Sequence, residues 1–148
     1  MKPLVVLFIT LAIGLLVTKL TGNYNPTLSA QIAMAVMLAF TAIGHFKFTH
    51  GMTMMIPAFI PFKKELVYLT GFIEIAAAIG LLVPATRTVV AWLLIVFFIV
   101  LLPANINAAV KHIDLEKGTF NGPGPKYLWF RVPLQILFIG WVYWSCLM

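Results

Sequence analysis

Long apolar runs alternate with short polar or Pro/Gly-bearing segments along the chain. The runs cover 4–20, 28–46, 66–82, 89–106 and 128–147. Each is about 17 to 20 residues long, the length a helix needs to cross the hydrocarbon of a bilayer. Lipid offers backbone N–H and C=O groups no water to bond, and a helix pairs all of them internally. The pattern therefore predicts an all-α integral membrane protein with five spans. "TGNYNPT" (21–27) and "PATRT" (84–88) read as tight links, because Pro, Gly and Asn favour turns. The links 47–65 and 111–126 are longer and leave room for interfacial or partly inserted segments.

Composition agrees with the pattern. With 62% hydrophobic and 9% charged residues, the chain has too little polar surface to cover a soluble domain. Five crossings nearly exhaust 148 residues, so 1–148 reads as a single transmembrane helical domain. Charge then orients it, because short cytoplasmic loops collect Lys and Arg. Lys2, Lys47, Lys63, Lys64, Lys111, Lys117, Lys126 and Arg131 fall on one side, and only Lys19 and Arg87 on the other. The N-terminus is expected in the cytoplasm and the C-terminus outside. The net charge of +6 thus reads as topology and attraction to anionic lipid. Nucleic acid is not an expected partner, since the basic residues lie along membrane borders rather than in one groove. The first run is read as a retained helix, being long for a signal peptide and followed by "TKLTGN", which is no small-residue cleavage site. Cys146 is the sole cysteine, which excludes an internal disulfide or a dithiol relay.

Polar residues inside the runs are the candidate chemistry. Glu74 lies eight residues beyond Leu66, about 12 Å into the membrane. A carboxylate there must face the bundle and meet a partner or take up a proton. Gln135 comes out at about 10 Å from the same side, with Arg131 one turn before it. His45 ends the second run, and Asn105 and Asn107 end the fourth after Pro103. Gly71 and Ala78 give Glu74 a small-residue face that lets a neighbouring helix come close. The expected site is a pocket in the inner leaflet with Glu74 as proton carrier and His45, Asn105, Arg131 and Gln135 as ligand-binding groups. Each of these polar residues has a plainer reading as hydrogen-bonding glue between helices, and Arg131 as a snorkelling cation. His45, His50, Met52, Met54 and Met55 have the softness to hold Cu(I), but no second cluster supplies further ligands, and no metal is expected. Trp129, Trp141, Tyr143 and Trp144 read as interface belts.

"GHFKF" (44–48), "MIPAFIPFKKELVYLTGFIEIAAAIGLLVPATR" (55–87) and "LLPANINAA" (101–109) together resemble the DoxX family of small bacterial membrane proteins. The shared pattern is a His at one helix end, a Pro-framed link, a "TGxxEIxxAxGLL" helix and a "PANI" helix end. The resemblance implies a four-helix transmembrane bundle, to which this chain adds an N-terminal helix. It also implies the bacterial inner membrane and redox-associated functions, quinone-linked subunits among them, and it places the family's polar signature on His45, Glu74 and Asn105. Related thiol-redox branches use paired cysteines, and that chemistry does not carry over to a chain with one.

The expected function is a quinone-linked accessory subunit of a larger membrane complex. The sequence carries no flavin, haem or iron–sulfur motif, so a quinone is the candidate cofactor and a membrane or cytoplasmic protein the expected partner, alongside the lipid bilayer or a second copy. The alternatives are a noncatalytic assembly partner and a small-solute transporter. The last has little room for a pathway in five helices.

Overall fold

The computed structural model describes residues 2–114 and 116–148. The chain is all-helical, with no strand among the described residues beyond an isolated bridge between Asp114 and Thr119. In order come α1 (Lys2–Leu20), α2 (Pro26–Lys47), α3 (Thr49–Met55), α4 (Lys63–Leu82), α5 (Pro84–Val110) and α6 (Leu128–Val142). A 3-10 turn (Pro125–Tyr127) leads into α6 and a π turn (Tyr143–Leu147) continues it. Five helical stretches are long and apolar enough to cross a membrane: α1, α2, α4, α5 and Pro125–Leu147.

Helix ends differ from the hydropathy pattern for local reasons. The segment 84–88 is not a link but the first turn of α5, because Pro84 stands at the start of the helix, where its missing N–H costs nothing. Val83 alone, with extended backbone (φ −91°, ψ 115°), separates α4 from α5. Across this corner the Thr86 hydroxyl donates to the Gly80 carbonyl at 2.9 Å and Arg87 Nε to the Leu81 carbonyl at 2.8 Å. Two carbonyls that the end of α4 would leave free are thereby satisfied. α5 also runs past Ile106 to Val110, with Pro103 inside it. α4 starts at Lys63, three residues early, directly after Phe62 in left-handed conformation (φ 56°). The link before it folds partly into α3, which packs on α4 and α5.

Packing puts α2 at the centre, against α1, α4, α6 and the π turn. Half of its apolar window is buried, against 6% for α1, which keeps only Leu7 fully inside. Close approach depends on small residues. A Cβ added to Gly14 of α1 would stand 3.1 Å from the Cβ of Ser29 on α2, and one on Gly80 of α4 only 2.6 Å from Val90 Cγ2 on α5. Between the helices lies a core of Met34, Met37, Leu38, Leu81, Leu94, Phe98, Phe138 and Val142. Lys2 Nζ is 3.0 Å from Glu116 Oε1, which brings the N-terminus to the same end as the loop between α5 and α6.

Candidate functional site

The crossing of α2 over α4 is built around Gly71. A Cβ there would lie 3.0 Å from His45 Cβ and 3.1 Å from Phe46 Cζ, so only a residue without one allows this separation. The approach brings His45 Nε2 to 3.2 Å from Glu74 Oε2. Both residues are buried, Glu74 to 4% exposure and His45 to 9%. Two threonines complete the arrangement. Thr41, one turn before His45 on α2, donates its hydroxyl to Glu74 Oε2 at 3.1 Å. Thr70, one turn before Glu74 on α4, lies 2.9 Å from His45 Nδ1 and donates to the Val67 carbonyl at 2.8 Å. That carbonyl is itself 3.1 Å from His45 Nδ1.

These contacts decide how protons sit. Val67 offers only an acceptor, and Thr70 can give its one proton to that carbonyl. An Nδ1–H then donates to the carbonyl and the hydroxyl, leaving Nε2 to face the carboxyl group. If the imidazole is neutral, Glu74 carries the proton and donates it; if the imidazole is charged, Nε2–H donates to the carboxylate. In the other tautomer Nδ1 accepts from Thr70, and Nε2–H again points at Glu74. Each arrangement that closes the 3.2 Å contact holds one proton between Nε2 and Oε2. The contact thus provides a place for a single proton inside an apolar bundle.

The other expected site residues make no hydrogen bond to this pair among the described residues. Gln135 Nε2 donates to the Phe98 carbonyl at 2.6 Å and joins α6 to α5. Asn105 is buried at 6% exposure, yet its Nδ2 finds no acceptor among the described residues, and the same holds for Arg131 Nε. Asn107 donates to the Met55 carbonyl at 2.8 Å and ties α5 to α3. No hydrogen bond or ion pair joins Glu74 to Asn105, Arg131 or Gln135 among the described residues, so the partner of the carboxyl group is His45 rather than Arg131. His50 packs over Gly118, whose positive φ and close approach leave no space for a Cβ.

Thr41 and Thr70 escaped the sequence reading. The available signal was a shared spacing, Thr-x-x-x-His on one helix and Thr-x-x-x-Glu on the next. A second polar set also went unread. Gln31 Nε2 donates to the Ser145 carbonyl at 2.6 Å and Trp141 Nε1 to the Ala30 carbonyl at 3.0 Å, joining α2 to the end of α6. Trp141 is thus a packing residue, edge-on to Phe8 at 5.8 Å. Trp129, Tyr143 and Trp144 do stay exposed.

A family model described as Domain of unknown function (DUF8561) matches residues 34–146, leaving α1 and the first turns of α2 outside it. No curated protein and no solved structure matches the chain.

Proposed function

This chain belongs to the family described as Domain of unknown function (DUF8561), and we propose that it is a small quinone-linked subunit of a membrane redox complex, with the His45–Glu74 pair as its proton site. The membrane is the bacterial inner membrane, with the basic end and N-terminus cytoplasmic and the C-terminus outside, as the distribution of Lys and Arg favours. One observation carries the reading: a carboxyl group and an imidazole, both buried among apolar helices, stand 3.2 Å apart. Such a pair is a functional candidate on physical grounds. An apolar groove of about 190 Å³ between α4 and α5, lined by Ile73, Ala77, Leu94 and Phe97 among others, suits a hydrocarbon tail. The DoxX resemblance, with His45, Glu74 and Asn105 in its polar signature, adds the redox association. Reduction of a quinone to a quinol takes two electrons and two protons. The pair supplies the two protons one after the other, taking up one from the cytoplasmic end after each transfer; the two electrons come from a partner, since the sequence has no motif for a redox group.

A second reading, a noncatalytic assembly partner, draws on the full engagement of His45 and on the close α2–α4 contact at Gly71. Glu74→Gln separates the two, because an amide still bonds Thr41 and His45 but cannot release a proton in the same way. On the redox reading, quinone stays with the gently extracted complex and turnover falls at least about a hundredfold in the variant, while partner recovery is unchanged. Loss of partner recovery with unchanged turnover per complex selects the assembly reading. Absence of quinone from the extracted wild type, with quinone binding unaltered in Glu74→Ala, rejects the proton site.

A further inference from the structure

The α5–α6 interface has a register that can be read from two contacts. Gln135 Nε2 donates to the Phe98 carbonyl, and the rings of Phe98 and Phe138 lie 5.7 Å apart. The two helices run in opposite directions. From Phe98, seven residues along α5 lead to Asn105, two turns and about 10.5 Å on, back on the same face. From Gln135, one turn back along α6 leads to Arg131, about 6 Å towards the same end. The two side chains therefore lie within about one turn of the same level, on the facing stripes of α5 and α6. Both carry a buried donor without an acceptor among the described residues, Asn105 Nδ2 and Arg131 Nε. Buried N–H groups are costly to leave unbonded, and two at one level call for a shared acceptor. Arg131 as a whole is partly exposed while both donor atoms are covered, so an acceptor reaches them by displacing the side chains over them.

We propose that Asn105 and Arg131 form a phosphate-binding site. The side edge of a guanidinium, Nε with one Nη, presents two parallel N–H groups that match two oxygens of a phosphate, and the Asn105 amide supplies a third donor. The N-terminal end of α6, two residues before the start of which stands Lys126, is positive, and Lys111 offsets the negative C-terminal end of α5. The neighbouring acids are engaged elsewhere. Asp114 Oδ1 accepts from the backbone N–H groups of Glu116 and Lys117, and Glu116 meets Lys2. Arg131 stands one turn inside α6, near its basic end. A phospholipid headgroup and free phosphate share this chemistry. The site is separate from the His45–Glu74 pair, so its failure leaves the proton reading untouched.

The test uses the full-length protein in mild detergent, with native mass spectrometry and the thermal midpoint as readouts. Phosphatidylglycerol, phosphatidylcholine and inorganic phosphate are the probes. Phosphatidylglycerol is expected to stay bound and raise the midpoint, and phosphatidylcholine, which sets a cation beside the same phosphodiester, to bind more weakly; a response to inorganic phosphate alone supports the site and assigns it to a soluble phosphate. Binding weakens about tenfold or more in Arg131→Lys, which keeps the charge but loses the fork. Asn105→Leu also loses binding while matching or exceeding the wild-type midpoint without lipid, since it replaces an unpartnered amide. Should that variant not fold, Arg131→Lys decides. No response to any probe overturns the proposal. So does unchanged binding in both variants, or an equal loss in Lys126→Gln, which marks general attraction at the surface.

Discussion

At the scale of single residues, what matters is that the partners of a buried proton cannot be removed one at a time. Glu74→Ala leaves His45 Nε2 facing empty apolar space, while the Thr41 hydroxyl keeps only the Leu38 carbonyl. Its expected cost is about 3 kcal/mol, measured by denaturant unfolding in detergent. Thr70→Val removes one contact to His45 Nδ1 and should cost about 1 kcal/mol in the same assay. The order of the two effects tests whether the carboxyl group, rather than the hydroxyl, anchors the site. Glu74 and His45 were legible in the sequence because ionisable groups stand out among apolar ones. Thr41 and Thr70 were not, because threonines in membrane helices ordinarily bond their own preceding turn. Both also do so here, to Leu38 and Val67.

Between elements, three glycines set distances that larger residues would open. Gly80→Ala would drive its Cβ into Val90 and is expected to cost about 2 kcal/mol, with the loss largely recovered in the double variant carrying Val90→Ala. Gly71→Ala meets the movable ring of Phe46 as well as His45 Cβ, so the expected cost is smaller, about 1 kcal/mol. It should nevertheless lengthen the His45–Glu74 contact, visible as a shift of the imidazole resonances in NMR of histidine-labelled protein. The middles of the helices follow from hydropathy alone. Their ends do not, because they depend on tertiary detail: Pro84 preset for a first turn, Thr86 and Arg87 reaching back to α4, and Phe62 turning the chain ahead of Lys63.

For the whole molecule, one polar cluster was expected and the polar residues divide among several interfaces. Each found the nearest free partner on an adjoining helix: Glu74 took His45, Gln135 the Phe98 carbonyl, Gln31 the Ser145 carbonyl. Depth along a helix can be counted from sequence, but the neighbour a side chain faces depends on how the helices are arranged around one another. Charge makes a separate forecast for the molecule in its bilayer. In a Cys146→Ser background, a cysteine at Asn23 should react with an impermeant thiol reagent on intact cells, and one at Asn121 only after the membrane is opened; the reverse pattern would invert the orientation. Finally, the corner at Val83 has no slack. With one residue between them and their ends clasped by Thr86 and Arg87, α4 and α5 behave as a single stiff hairpin. A rearrangement that parts the acid from its imidazole cannot be absorbed at that bend, and must be carried down the second arm to the far side of the bilayer.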